Sequence, residues 1–332
     1  MAVTVKNVAK IAGVSTATVP RVINNDPRIS KETRNRVLDC IKKLDYKINN
    51  IARSLKTSKT YTIGFISPEI ANDFFMSVAK GVEDELRKHN YSVIICNSNE
   101  SVKGEEERIK LLCEKCVDGV IIIPATGEGR HFNQLKDMEM PVVLADRLVE
   151  NFAADAVPVD NINGSYTAVE YLINRGQKRI GFISGDMRLT SAKERYDGYL
   201  RALNEYCIPM EEEIVKFGDF HIQSGYDIMK ELMEVNNPLY HVFIANYYMH
   251  VGATKYLIEH RESLKHQVSI ASFDDMELSS ILGFCDITIG QPMMEIGSKA
   301  AQLLLSRINC EEMDFPEIIR LKTRLITKQH TI

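Results

Sequence analysis

The chain has 332 residues, 45% hydrophobic and 26% charged, which is the length and composition of an ordinary globular protein of two or three domains. No run approaches the roughly 18 apolar residues of a membrane span, and the opening MAVTVKNVAK lacks the apolar core of a secretory leader, so a cytoplasmic protein without membrane contact is expected. Seven scattered cysteines (Cys40, Cys96, Cys113, Cys116, Cys207, Cys285, Cys310) read as reduced thiols rather than a disulfide framework.

The net charge of −4 divides unevenly. Residues 1–60 carry 13 Lys/Arg against four acids, a net of +9, and the remainder carries −13. A basic head on an acidic body points to a polyanionic partner for the head. There, Val5, Val8, Ala9 and Ala12 recur at the spacing of a short amphipathic helix, with Thr4 as its N-cap and Gly13 free to take positive φ in a turn. Ser15 is expected to cap a second helix whose Val19, Val22 and Ile23 face inward. Thr16, Ala17, Pro20 and Arg21 then face outward. The spacing of Ala9, Gly13 and Val19 lets two helices cross closely, as in a helix-turn-helix. A third helix follows, capped by Ser30, with Val37, Leu38, Ile41 and Leu44 on its core face. Outward residues on a second helix of this kind reach base edges in the major groove. Arg21 suits guanine O6/N7 or a phosphate, and the methyls of Thr16 or Ala17 suit a thymine methyl.

The stretch VTVKNVAKIAGVSTATVPRVINN resembles the opening of the lactose-repressor/galactose-repressor (LacI/GalR) family of regulators, and YKINNIARSL at 46–55 resembles that family's hinge segment. The similarity runs the length of the chain, and the part from Gly64 to Asn99 is similar to catabolite-control-type members. The resemblance implies an all-α helix-turn-helix head at 1–46, a hinge helix and linker at 47–60, and a body at 61–332. That body would be α/β and periplasmic-binding-protein-like: two doubly wound parallel-sheet lobes, one about 61–160 with 292–325, the other about 161–291. A homodimeric repressor on double-stranded operator DNA is implied, with a tetramer left open. The DNA-binding residues would be Thr4, Ser15, Thr16, Ala17, Arg21 and Asn24 in the head and Asn49, Asn50, Arg53 and Leu55 in the hinge, Leu55 acting as a minor-groove wedge.

Two positions in the head and hinge depart from the family pattern. Pro20 stands where the family has serine. With Ser15 as cap it is the fifth helical residue, losing a bond to the Thr16 carbonyl at a cost of about 3 kcal/mol. Pro20→Ser is therefore expected to raise the head's melting temperature and tighten operator binding. Ile48 stands where the hinge helix begins with proline, removing a preset φ.

Beyond residue 60, apolar runs at 61–67, 91–98, 118–124, 141–146, 179–185, 241–246 and 268–275 alternate with helical patterns, which argues for parallel sheets covered by helices. Ligands in such sheets sit beyond the carboxyl ends of the strands. Those ends carry Asp146-Arg147, Asn246, Asp274-Asp275 and, after ITIG, Gln291, while Arg195 would start a helix beside the cleft. The resemblance gives these residues, with Phe75 and Phe220, to a small-molecule effector: a sugar, sugar phosphate or nucleobase. At 247 the family's acid is replaced by Tyr247.

Cys113 and Cys116 have metal-ligand spacing and would share a helix face, but no second pair completes a site. GEGR at 127–130 lacks the third glycine of a dinucleotide fingerprint. No catalytic residue, cofactor or metal is expected. Two alternatives stay open: a regulator controlled by a protein co-effector docking on the N-lobe, and a solute-binding protein.

Overall fold

Helix α1 (Val5–Ala12) begins where the Asn7 side-chain oxygen accepts the Thr4 backbone N–H at 2.9 Å. It ends at Gly13, φ +61, and the next N–H, of Val14, donates to the Ala9 carbonyl at 3.0 Å. This left-handed C-terminus is the reason for glycine at the turn. The computed structural model describes residues 3–23, 26–46, 59–237, 239–264, 266, 268–276, 284–312 and 314–327. Two compact units make up the chain, Met1–Thr60 and Tyr61–Ile332.

In the first unit α2 (Thr18–Ile23) starts two residues later than a cap at Ser15 requires. Ser15 instead closes a turn: its carbonyl accepts the Thr18 N–H at 3.0 Å and its hydroxyl lies 2.8 Å from the Thr18 hydroxyl. Pro20 is thus the third residue of α2, within the first turn, where a backbone N–H has no helical acceptor in any case. The lost bond and the strain expected of Pro20 do not arise. Helix α3 (Lys31–Lys43) follows, and Ser30 caps it by accepting the Thr33 N–H at 3.2 Å. Val8, Ala9, Ala12, Val19, Val22, Val37, Cys40 and Tyr46 form the small core. Leu38, expected inward, is 46% exposed. The buried stripe runs from Val37 to Cys40 at i+3, and position 38 lies about 100° around the helix from Val37.

The second unit alternates strand and helix: β1 (Thr62–Ser67), α4 (Asp73–Lys88), β2 (Ser92–Asn97), α5 (Val102–Glu114), β3 (Gly119–Ile122), α6 (Asn133–Asp137), β4 (Val142–Asp146) and β5 (Asp155–Pro158) build a parallel sheet of order β2-β1-β3-β4-β5. The chain then crosses to α7 (Asn161–Asn174), β6 (Ile180–Ser184), α8 (Thr190–Glu205), β7 (Val215–Phe217), α9 (Ile222–Met233), β8 (His241–Ile244), α10 (Tyr247–Glu259), β9 (Ser269–Phe273) and β10 (Cys285–Gly290). It returns with α11 (Met293–Ile308) and ends in β11 (Arg324–Thr327). The second sheet has the order β11-β10-β9-β8-β6-β7, parallel except for β11.

Residues up to 325 were expected in the first lobe. Instead, Leu321 still bridges Val159 beside β5, but Arg324–Thr327 pairs with β10 and covers the second sheet's edge. The central strands are buried on both faces, as their unbroken apolar runs imply. Helix α11 packs Ile296, Ala300 and Leu304 into a core with Val78, Val82 and Leu86 of α4 and Val143 of β4. Cys116 falls beyond the end of α5 at φ 54, so it does not share a helix face with Cys113 as the spacing suggested. Among the described residues no helix is long and apolar enough to cross a membrane.

Candidate ligand cleft and DNA-reading surface

The carboxyl ends of strands from both sheets meet around a cavity of ≈ 250 Å³. Phe75, Asp146, Arg147, Arg195, Phe220, Asn246, Asp274 and Gln291 all line it, as does Tyr247. Three of these residues hold left-handed backbone without being glycine: Asp146 (φ 63), Phe220 (φ 69) and Asp274 (φ 71). Such conformations cost free energy, and they gather where the surrounding fold imposes them.

Both guanidiniums are anchored from behind. Arg147 donates from Nη1 to the Pro124 carbonyl at 2.8 Å, keeps Nε 3.5 Å from Asp146 Oδ2, and lies over the Phe75 ring at 5.4 Å. Arg195, in the second turn of α8, donates from Nε to Asn161 Oδ1 at 2.9 Å and from Nη1 to the Ala245 carbonyl at 2.6 Å, and sits 3.9 Å over the Phe273 ring. Burial lowers the Arg195 pKa, opposed by the neighbouring Asp274 and Asp146 carboxylates. Burial likewise pushes the Asp146 carboxyl upward, with Arg147 and Arg195 pulling the other way. Asp274 accepts the Tyr247 N–H at 3.2 Å and the Gln291 Nε2 at 2.5 Å. Asn246 caps α10 by accepting the Met249 N–H at 3.0 Å and donates from Nδ2 to the Phe220 carbonyl at 3.0 Å, so its amide shapes the wall. Asp146 Oδ1, Arg147 Nε and Gln291 Oε1 are buried without a hydrogen-bond partner.

The Phe220 ring lies against Gly185, where a Cβ would come within 2.4 Å of it. Strand-end reasoning missed Tyr248, His221 and Asn72, which also line the cavity. The Tyr248 hydroxyl donates to the Ala71 carbonyl and accepts the Asp73 N–H, both at 3.4 Å, and His221 Nε2 lies 3.2 Å from Glu100 Oε2. Each of these contacts joins the second lobe to the first. Their only sequence signal was nearness in the chain to Phe75, Phe220 and Asn246.

In the first unit Thr4, Ser15, Thr16, Ala17 and Arg21 are exposed, and Pro20 is half-buried. The Arg21 carbonyl accepts the Asp26 N–H at 3.0 Å, but the Arg21 side chain makes no hydrogen bond or ion pair among the described residues, whereas nearby Arg28 is paired to Asp26 at 2.8 Å. Asn24, Ile48, Asn49, Asn50, Arg53 and Leu55 lie outside the described residues.

A basic helix-turn-helix unit joined to two doubly wound lobes around a polar cleft defines a class of DNA-binding regulators with a periplasmic-binding-protein-like body. The family description "Bacterial regulatory proteins, lacI family" matches residues 4–49, and "Periplasmic binding proteins and sugar binding domain of LacI family" matches residues 60–329. The transcriptional regulator RegA of Clostridium saccharobutylicum is 34% identical over all of both chains. Catabolite control protein A of Priestia megaterium is 32% identical, also over all of both chains. The fold is similar to that of the Lac repressor dimer bound to operator and an anti-inducer, with a TM-score of 0.87 over 100% of each chain at 22% identity. The chain belongs to the LacI family of bacterial transcriptional regulators.

Proposed function

We propose that the protein is a cytoplasmic repressor that binds a near-palindromic operator as a homodimer and changes its operator affinity when a small polar molecule occupies the cleft between the lobes. In this reading residues 1–46 read DNA, 47–60 form the hinge, and 61–332 bind effector and dimerise. Exposed Thr16, Ala17 and Arg21 address the major groove. Asn24, Asn49, Asn50 and Arg53 contact DNA further along, and Leu55 wedges the central step.

The observation that carries the reading is the one cavity shared by all eight residues named from the sequence, with three buried polar atoms left without a hydrogen-bond partner. A native fold rarely buries such atoms unless something else satisfies them. Two heads with +9 each favour a dimer on two half-sites, since one small head alone has little contact area.

The test is a gel-shift titration on an operator selected from random DNA, comparing the full chain with residues 61–332. The full chain is expected to bind specifically and to respond to effector, and the shortened chain to bind neither operator nor random DNA. Specific binding by the shortened chain overturns the reading. Leu55→Ala is expected to weaken operator binding and DNA bending while leaving binding to random DNA, set by phosphates, nearly unchanged.

A further inference from the structure

We propose that Asn161 is a positioning residue for the effector, acting through Arg195, and that Glu194 and Arg320 lock it to two of the segments that pass between the lobes. The inference rests on the reading of the cavity as the effector site and extends it to residues behind the wall, since Asn161, Glu194 and Arg320 do not line the cavity.

The need for such a residue comes from Arg195. A guanidinium carries five donors on a long side chain, and it holds a ligand well only when its plane is fixed beforehand. The Phe273 ring sets the level of that plane, and the bond from Nη1 to the Ala245 carbonyl pins one end. The bond from Nε to Asn161 Oδ1, at 2.9 Å, fixes the remaining rotation. Nη2 makes no hydrogen bond among the described residues, so it is the end left for a ligand. Both side chains are buried, and water does not compete for these bonds.

Position 161 calls for an amide. Its Oδ1 accepts from the Arg195 cation while its Nδ2 donates to Glu194 Oε2 at 2.9 Å, so one group serves a cation on one side and an anion on the other. Turned over, the amide would set its NH2 against a guanidinium N–H and its oxygen against a carboxylate. An aspartate there keeps the first bond but brings two carboxylates together, and a leucine keeps the shape with neither bond.

Glu194 is held in turn. Arg320 meets both its oxygens, Nη1 to Oε2 and Nη2 to Oε1, at 3.0 Å each, and Nη1 also donates to the Val159 carbonyl at 2.9 Å. Val159 and Leu321, which bridge each other, belong to the first and last passages of the chain between the lobes. There the Asp160 N–H donates to the Leu321 carbonyl at 2.8 Å, and the Leu321 N–H to the Pro158 carbonyl at 2.9 Å. The network therefore runs unbroken from Arg195 through Asn161 and Glu194 to both passages. A ligand shifts the balance between two lobe arrangements only by binding one of them better. With Arg195 tied to the passages, a change of lobe angle moves its donors, and that supplies the difference. The Glu194–Arg320 pair is partly exposed, so its loss is expected to leave the fold intact.

The test uses the full chain, calorimetry with glucose, galactose, ribose, cellobiose and adenine as probes, and operator gel shifts with and without the probe that binds. Asn161→Asp is expected to weaken that probe about tenfold or more. Adding Glu194→Gln turns the repelling carboxylate into a donor and is expected to restore affinity to within about threefold of the native chain. A merely structural role predicts the reverse, two losses that add. If Asn161→Asp alone does not fold, the double variant decides: affinity within about threefold supports the role, and a loss of about tenfold overturns it. Arg320→Met is expected to keep probe affinity within about threefold while the probe's effect on operator affinity shrinks to less than about twofold. Probe affinity unaltered in Asn161→Asp, or losses that add in the double variant, overturn the positioning role and leave the effector site standing. An operator response kept in full by Arg320→Met overturns the lock to the passages. Binding by none of the probes overturns the effector site, and the role of Asn161 with it.

Discussion

Asp146 carries an acceptor oxygen with no hydrogen-bond partner in surroundings that disfavour its charge. Its folded-state pKa lies above the unfolded value. The group therefore contributes stability below its unfolded pKa, and that contribution is lost as pH rises through the folded value. A ligand hydroxyl donating to the ionised carboxylate lowers that pKa again, so binding releases a proton. Effector affinity is thus expected to rise with pH across the interval between the bound and free pKa values. Calorimetry over a pH series, in two buffers of different ionisation heat, measures both the slope and the proton count, and Asp146→Asn is expected to flatten both. Pro20 is the second residue whose setting decides its effect. With the proline in the first turn of α2, Pro20→Ser is expected to change stability by no more than about 0.5 kcal/mol, read by hydrogen-exchange protection of Val19 and Val22 in the full chain.

Two elements depend on a glycine for different reasons. At Gly13 the backbone is left-handed with open space around it, so Gly13→Ala is expected to destabilise the first unit by about 1–2 kcal/mol through backbone strain alone. At Gly185 the constraint is contact, because an added methyl drives into the Phe220 ring. Gly185→Ala is expected to weaken effector binding about tenfold or more while operator binding without effector persists, compared in one titration. The sequence revealed most of the sheet strands because doubly buried strands are continuous apolar runs. It did not reveal β5, β7 or β11, which have three or four residues and mixed polarity. The start of α2 was misread because serine serves equally as a helix cap and as a turn residue, and only the backbone decides between them. Cavity-lining residues at strand ends were legible, since a polar residue directly after an apolar run marks the end of a strand. Tyr248 and His221 were not, because their partners lie in the other lobe, far along the chain.

Contacts across the lobes hold the whole body in one arrangement. Tyr248→Phe with His221→Ala removes the hydroxyl bridge and the Glu100 contact, and is expected to raise hydrogen exchange in 69–75 and 246–249 of the ligand-free protein. Arg307, at the end of α11, grips Asp155 of β5 through two bonds of 2.7 and 2.9 Å, and Asp155 also accepts the Glu317 N–H at 2.8 Å. Arg307→Met leaves that buried carboxylate without its cation and is expected to cost about 3–5 kcal/mol in denaturant unfolding. The late return of the chain also governs its birth on the ribosome. The first sheet is synthesised early, yet the apolar face that α11 covers stays bare until residue 308 has left the exit tunnel, and the second sheet's edge stays open until 327. Neither lobe matures by itself as it emerges, unlike a chain whose domains are strung in order. Nascent chains stalled near residue 290 should stay open to protease throughout both lobes and recruit chaperones, while the small N-terminal unit has already closed. Arrest-peptide force measurements should record one early event for that unit and a single late one for the body.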